Sequence, residues 1–168
     1  MPRCGIFCKI SNSATDLTNN IDIAAGVCRD STNTVNITVA AMTKILSSNW
    51  AVTTNQGMRN SAAAITDTTY HIYAVSKADN TQDIYAHTST TVATVITALQ
   101  AETGGSDYLY ARRLGSIMRE SSAIVLFTQT DDYFERVTAK SDIAVTNPGT
   151  SAVTRTLSVP LGLAIFAD

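Results

Sequence analysis

The chain has 168 residues and a mass of 17.9 kDa, enough for one domain, or one domain plus an arm. Charged residues reach only 15% against about a quarter in average proteins, while 25 Thr, 15 Ser and 10 Asn supply small uncharged polar groups; this suits half-buried strands and excludes a coiled coil or helical bundle. The net charge of -2 and pI near 5.6 leave no basic footprint for nucleic acid or anionic lipid, and no apolar run approaches the roughly 20 residues of a membrane span.

Met1-Pro2-Arg3-Cys4 opens no signal-peptide pattern, because a polar stretch begins at Ser11 before an apolar region can form. Gly5 to Ile10 reads as a short strand, and residues 1–18, with the apolar pair Ile6 and Phe7, as an arm able to grip a neighbour; residues 19–168 form the main domain. Ile21-Asp22-Ile23 and Val35-Asn36-Ile37-Thr38-Val39 alternate with period 2, and the turn formers Asp30-Ser31-Thr32-Asn33 between them predict a hairpin. Met42, Ile45 and Leu46 fall at i, i+3 and i+4, which predicts a short helical turn over residues 40–49 leading to Trp50, a core anchor. Asn55-Gln56-Gly57 marks a loop.

The clearest strand is Thr68 to Lys77, turning at Ala78-Asp79-Asn80-Thr81 and returning through Asp83 to Thr88. Val92, Val95, Ile96 and Leu99 predict one helix over 92–101, stopped by Thr103-Gly104-Gly105. Tyr108 to Arg119, Ala123 to Gln129 and Tyr133 to Val137 read as strands, Asn147-Pro148-Gly149 as a turn, and Val153 to Val159 as a final strand. Short strands at this spacing predict a mainly β fold: an antiparallel β-sandwich, jelly-roll-like, with the helix near 92–101.

The search for chemistry finds little. Three cysteines (Cys4, Cys8, Cys28) without a signal peptide fit free thiols in a reduced compartment, with a Cys28 disulfide to one of the other two as the lesser reading and zinc a remote one. His71 and His87 lie on the central hairpin, where a strand histidine is more often a cross-strand partner than a base. Asp131-Asp132 lacks the regularly spaced oxygens of a calcium loop, and Gly104-Gly105 follows a helix and so is no phosphate loop. Asn36-Ile37-Thr38 matches a glycosylation acceptor, a pattern common by chance. The expectation is no enzyme, cofactor or metal. Arg112 and Arg113 point to opposite faces of their strand, so one needs a carboxylate or carbonyl partner, with Glu120, Asp131, Asp132 and Glu135 as candidates, or serves at a subunit contact.

The runs Thr69-Tyr70-His71-Ile72-Tyr73-Ala74-Val75, Asp83-Ile84-Tyr85-Ala86-His87-Thr88-Ser89, Tyr110-Ala111-Arg112-Arg113-Leu114-Gly115-Ser116-Ile117 and Phe127-Thr128-Gln129 resemble a module of tailed-bacteriophage virion proteins. That module shows "TYHV", "DxLFSTS", "RRIGSI" and a strand ending Phe-x-Gln before an acidic turn. Asn20 to Gly26, Arg29-Asp30-Ser31, Leu46 to Val52 and Asn55-Gln56-Gly57 extend the resemblance over roughly residues 19–160. The resemblance implies a non-enzymatic virion component (tail fibre, minor tail or head decoration), made in the bacterial cytoplasm and acting through contacts with other virion proteins as a homo-oligomer, a trimer being favoured. A host-surface glycan bound through exposed Tyr and Trp is the alternative. Two departures stand out: the helix at Val92 to Ala101 replaces a short Pro-containing link, and the module often continues past its "SVP" strand, whereas this chain stops at Asp168. A shortened sandwich would leave an open edge for a neighbouring subunit.

Overall fold

Alternation of apolar and polar residues governs most of the chain, and strands dominate the result. The computed structural model describes residues 8–131, 133–144, 149–151 and 154–164. In chain order the elements are β1 (Ile10–Asn12), β2 (Asn20–Ile23), β3 (Gly26–Arg29), β4 (Asn36–Val39), β5 (Met42–Asn49), β6 (Gln56–Arg59), β7 (Thr69–Lys77) and β8 (Gln82–His87). There follow α1 (Val92–Gln100), β9 (Tyr108–Glu120), β10 (Ala123–Ile124), β11 (Phe127–Thr130) and β12 (Tyr133–Arg136). The expected mainly β, sandwich-like architecture with one helix is present. Its main body is an eight-stranded sheet in the order β1-β2-β5-β6-β8-β7-β9-β10, accompanied by the ribbons β3-β4 and β11-β12.

The sheet curls until it is nearly a barrel. In a flat sheet β1 and β9, six strand spacings apart, would be separated by about 29 Å. Instead the Ile10 Cδ1 atom on β1 lies 3.0 Å from where a Cβ on Gly115 of β9 would be. One face of every strand therefore feeds a single core: Ile10, Ile21, Ile23, Leu46, Met58, Ile72, Ala74, Ile84, Ala86, Ile117 and Ile124, joined by Ile37 and Val39 of the β3-β4 ribbon. The seam is closed by isolated bonds rather than a ladder. Ile10 N–H donates to Gln129 Oε1 (2.7 Å), Phe127 N–H to Asn12 Oδ1 (3.0 Å) and Ile124 N–H to the Thr18 carbonyl (2.8 Å).

β7 is central enough to be buried on both faces. Tyr70, Ile72 and Ala74 point into the barrel-like core, while Tyr73 and Val75 point outward into a second cluster with Trp50, Tyr85, Tyr108 and Ala111, capped by Val95 and Leu99 of α1. The helix has no side-chain cap at Thr91, no acidic first turn and no basic last turn, so its stability comes from burying Val95 and Leu99.

Several expectations are corrected. Gln56 and Gly57, expected in a loop, begin strand β6. Residues 42–49 are strand β5, not a helical turn, because β2 and β6 take up its backbone groups on both sides. The hairpin across Asp30–Asn33 joins β3 to β4, not Ile21–Ile23 to Val35–Val39; β2 pairs with β1 and β5 instead. The sheet is not antiparallel throughout, since β5-β6 and β6-β8 are parallel. Residues 154–159 form no strand, and Val153 lies outside the described residues.

Gly57 explains the irregular β5-β6 junction: any Cβ there would collide with the Asn49 carbonyl, so only glycine lets β6 approach. Of the N-terminal segment, residues 8–18 belong to the main body, with Cys8 and Ile10 buried and Ser13 N–H donating to the Asn20 carbonyl (3.1 Å). Cys4, Ile6 and Phe7 lie outside the described residues, as do Asp132 and the Asn147-Pro148 part of the predicted turn.

Candidate functional site

The surface departs from ordinary polarity in its C-terminal quarter. Among the described residues, nine large hydrophobic side chains are exposed, and six of them fall between residues 126 and 161: Leu126, Tyr133, Val137, Ile143, Leu157 and Leu161. Tyr133 and Leu161 are each 62% exposed. Toward the end of the segment Leu161 N–H donates to Thr69 Oγ1 of β7 (2.8 Å), and Ser158 N–H donates to Asp142 Oδ2. An open groove of about 380 Å³ runs between Thr68-Thr69, the Met118–Ser121 end of β9 and Leu157–Leu161. Its charges are already engaged with one another. Arg119 pairs with Asp67, while Glu120 accepts from Arg136 (2.9 Å) and Lys140 (3.1 Å). The carboxyl of Glu120 is held below its usual range by the Arg136 hydrogen bond first and Lys140 after it. Such a groove offers apolar side chains and a fixed charge pattern for contact.

The buried polar groups form separate centres. Lys44 and Asp83, both fully buried, lie 2.9 Å apart. Lys44 Nζ also donates to the carbonyls of Ala51 (2.8 Å) and Thr53 (3.0 Å), so each ammonium proton has an acceptor. Asp83 accepts from the backbone N–H of Thr53 and Ile84. Thr53 has φ 84°, a left-handed conformation unfavourable for a β-branched residue. The buried pair grips this strained residue through both its N–H and its carbonyl. Burial pulls Lys44 below the ordinary lysine value and pushes Asp83 above the ordinary carboxylate value, while each charge opposes the other's displacement.

His71 Nδ1 is 2.7 Å from Ser116 Oγ, both buried, and His71 is the register partner of His87. Burial first, then the charge of Arg113 and that of His87 when protonated, lower His71 to about 4, so the imidazole is neutral at pH 7. His87 Nδ1 accepts from the Ser89 N–H (2.9 Å). Glu102 Oε1 accepts from Ser61 N–H (2.7 Å) and Tyr85 OH (3.2 Å), tying the loop after β6 to the helix end. Asp30 holds the β3-β4 turn. Burial alone would raise its carboxyl, but hydrogen bonds from Thr32, Val35 and Thr34 hold it at about 2.

Trp50 is 6% exposed and packs edge-on against Tyr108 (5.6 Å between centroids) and Tyr85 (6.2 Å), a structural position at the end of β5. Tyr70, Tyr73, Tyr85 and Tyr108 are also buried, leaving Tyr133 as the well-exposed tyrosine among the described residues. Arg112 is half-buried and reaches a carbonyl, that of Asp30 (3.4 Å), rather than Glu120, Asp131 or Glu135; Asp132 lies outside the described residues. Arg113 is exposed. The structure does not bring Trp50, Arg112 and Arg113 into one site.

Cys8 and Cys28, 20 positions apart, meet. Both pack at one core cluster, where the Cys28 side chain lowers the Cys8 thiol and the Cys8 side chain, with burial, raises that of Cys28. Both are free thiols. No group of three or more His, Cys, Asp or Glu is placed to hold a metal among the described residues. No protein-family model, curated protein or solved structure matches the chain.

Proposed function

We propose that the protein is a bacteriophage virion structural component that works as an oligomer, through fitted subunit contacts and without catalysis. The observation that carries the reading is the concentration of exposed large apolar side chains between Leu126 and Leu161. Side chains of this kind cost solubility in a free monomer and gain when a neighbour covers them. The motif resemblance over roughly residues 19–160 supplies the biological setting, and the low charge suits surfaces that pack against other protein. The position of Trp50 and four tyrosines in the interior weighs against sugar stacking on those rings, so the glycan reading has no aromatic platform from them.

Two measurements test the proposal. Light scattering on the purified full chain should give a multiple of 17.9 kDa, three-fold if the assembly is a trimer, and Leu157→Glu with Leu161→Glu should return it toward the single-chain mass. Peptide mass spectrometry of purified particles from the phage encoding the chain should find it in stoichiometric amounts. A chain that stays at 17.9 kDa at high concentration and is missing from particles refutes the reading.

A further inference from the structure

The β3-β4 ribbon has no ladder to the main sheet. It is held by Ile37 and Val39, which enter the barrel-like core, and by its tip, where Ser31 N–H donates to the Ala111 carbonyl (2.9 Å) and Arg112 reaches the Asp30 carbonyl. Its other end leaves β2 through Ala24, whose N–H donates to the Lys9 carbonyl (2.8 Å). That bond fixes the backbone next to Cys8 against the start of the ribbon. Within the ribbon Cys28 is the register partner of Ile37, and cross-strand partners share a face, so the Cys28 side chain turns toward the same core as Ile37. Cys8 is 3% exposed in that core, and Cys28 packs against it from the half-buried rim.

The geometry points to Cys8 and Cys28 as a redox-sensitive thiol pair that forms an intramolecular disulfide and so staples the β3-β4 ribbon to the chain entering β1. Both side chains pack at the same core cluster and act on one another, so a χ1 adjustment would bring the sulfurs to bonding distance. The oxidant is a small-molecule disulfide. One cysteine of the pair attacks it as thiolate, forms a mixed disulfide and releases one small thiol. The other cysteine then attacks that sulfur, the Cys8–Cys28 bond forms, and the second small thiol leaves. Two cysteine thiols are oxidised, one disulfide is reduced to two thiols, and the two cysteine protons end on the released thiols. In a reducing cytoplasm the pair stays open, and in oxidising surroundings it closes. This reading stands independently of the virion proposal.

The test uses the full chain carrying Cys4→Ser, which leaves Cys8 and Cys28 as the sole thiols. Incubation with oxidised glutathione should lower the intact mass by about 2 Da relative to the dithiothreitol-reduced chain. It should also remove both alkylatable thiols and leave the chain single on a non-reducing gel. Closing a loop of about 20 residues should raise the thermal midpoint of the oxidised form by about 6–13 °C over the reduced form. Cys28→Ser added to Cys4→Ser should abolish both the mass change and the redox-dependent shift. Two alkylatable thiols persisting in the folded, glutathione-treated Cys4→Ser chain would overturn the inference. So would a disulfide found only between chains. The chemical readout does not depend on the Cys28 variant folding.

Discussion

Replacing Lys44 with methionine removes one member of a pair in which both side chains are fully buried. Asp83 would keep its bonds from Thr53 and Ile84 N–H but lose its countercharge, and the Ala51 and Thr53 carbonyls would lose their donor. Breaking a buried pair from one side costs about 3–5 kcal/mol, because a charge is left uncompensated in low dielectric. For a chain of this size, that lowers the thermal midpoint by roughly 6–20 °C. The double change Lys44→Met with Asp83→Leu removes the stranded charge as well. Ala51 and Thr53 are open enough to solvent for water to serve their carbonyls, so the double variant should be at least 2 kcal/mol more stable than the sum of the single losses predicts. Urea unfolding at pH 7, followed by the fluorescence of the sole tryptophan, Trp50, reads all four corners of the cycle. A Lys44→Met cost under about 1 kcal/mol, or a double variant as unstable as the summed singles, would refute the idea that this pair grips the strained Thr53 loop.

Two further outcomes follow from the geometry. His71 is lowered to about 4 from an ordinary value near 6.5, so the unfolded chain binds its proton first. Its contribution, on the order of 3 kcal/mol, is complete above about pH 6.5 and is lost as pH falls toward 4. Thermal midpoints measured from pH 7.5 to 4.5 should therefore fall with pH, and His71→Gln should flatten the slope; an unchanged slope counts against the assignment. On Gly115 a methyl group would collide with the Phe134 ring and press on Ile10, so Gly115→Ala should cost about 1–3 kcal/mol in urea unfolding. Trimming Phe134→Leu alongside should recover part of that loss, and additivity of the two would argue that the ring does not cover Gly115.

Much of the β framework was legible in the residue pattern. The β7-β8 hairpin and α1 could be read directly, because their apolar residues repeat at periods of 2 and 3.6 over a long enough stretch and turn formers bound them. β5 could not. Met42, Ile45 and Leu46 fit one helical face, and the strand's own buried face carries Lys44, a residue that looks like a surface position until Asp83 is placed beside it. The ribbon strand Gly26–Arg29 was missed for a related reason: Val27 and Cys28 show no alternation, so the better patterned Ile21–Ile23 took its place in the hairpin.

Composition and local periodicity determined that the chain is built of strands with one helix, since those signals act within a few residues of one another. Only tertiary structure decided which strands are neighbours, that the sheet curls until β1 meets β9, and which polar groups share the interior. Lys44 with Asp83, His71 with Ser116, and Cys8 with Cys28 are separated by 20 to 45 positions, and their meeting depends on strand order and register. Those are set by the collective burial of a core, to which no single segment holds enough apolar surface to commit the chain.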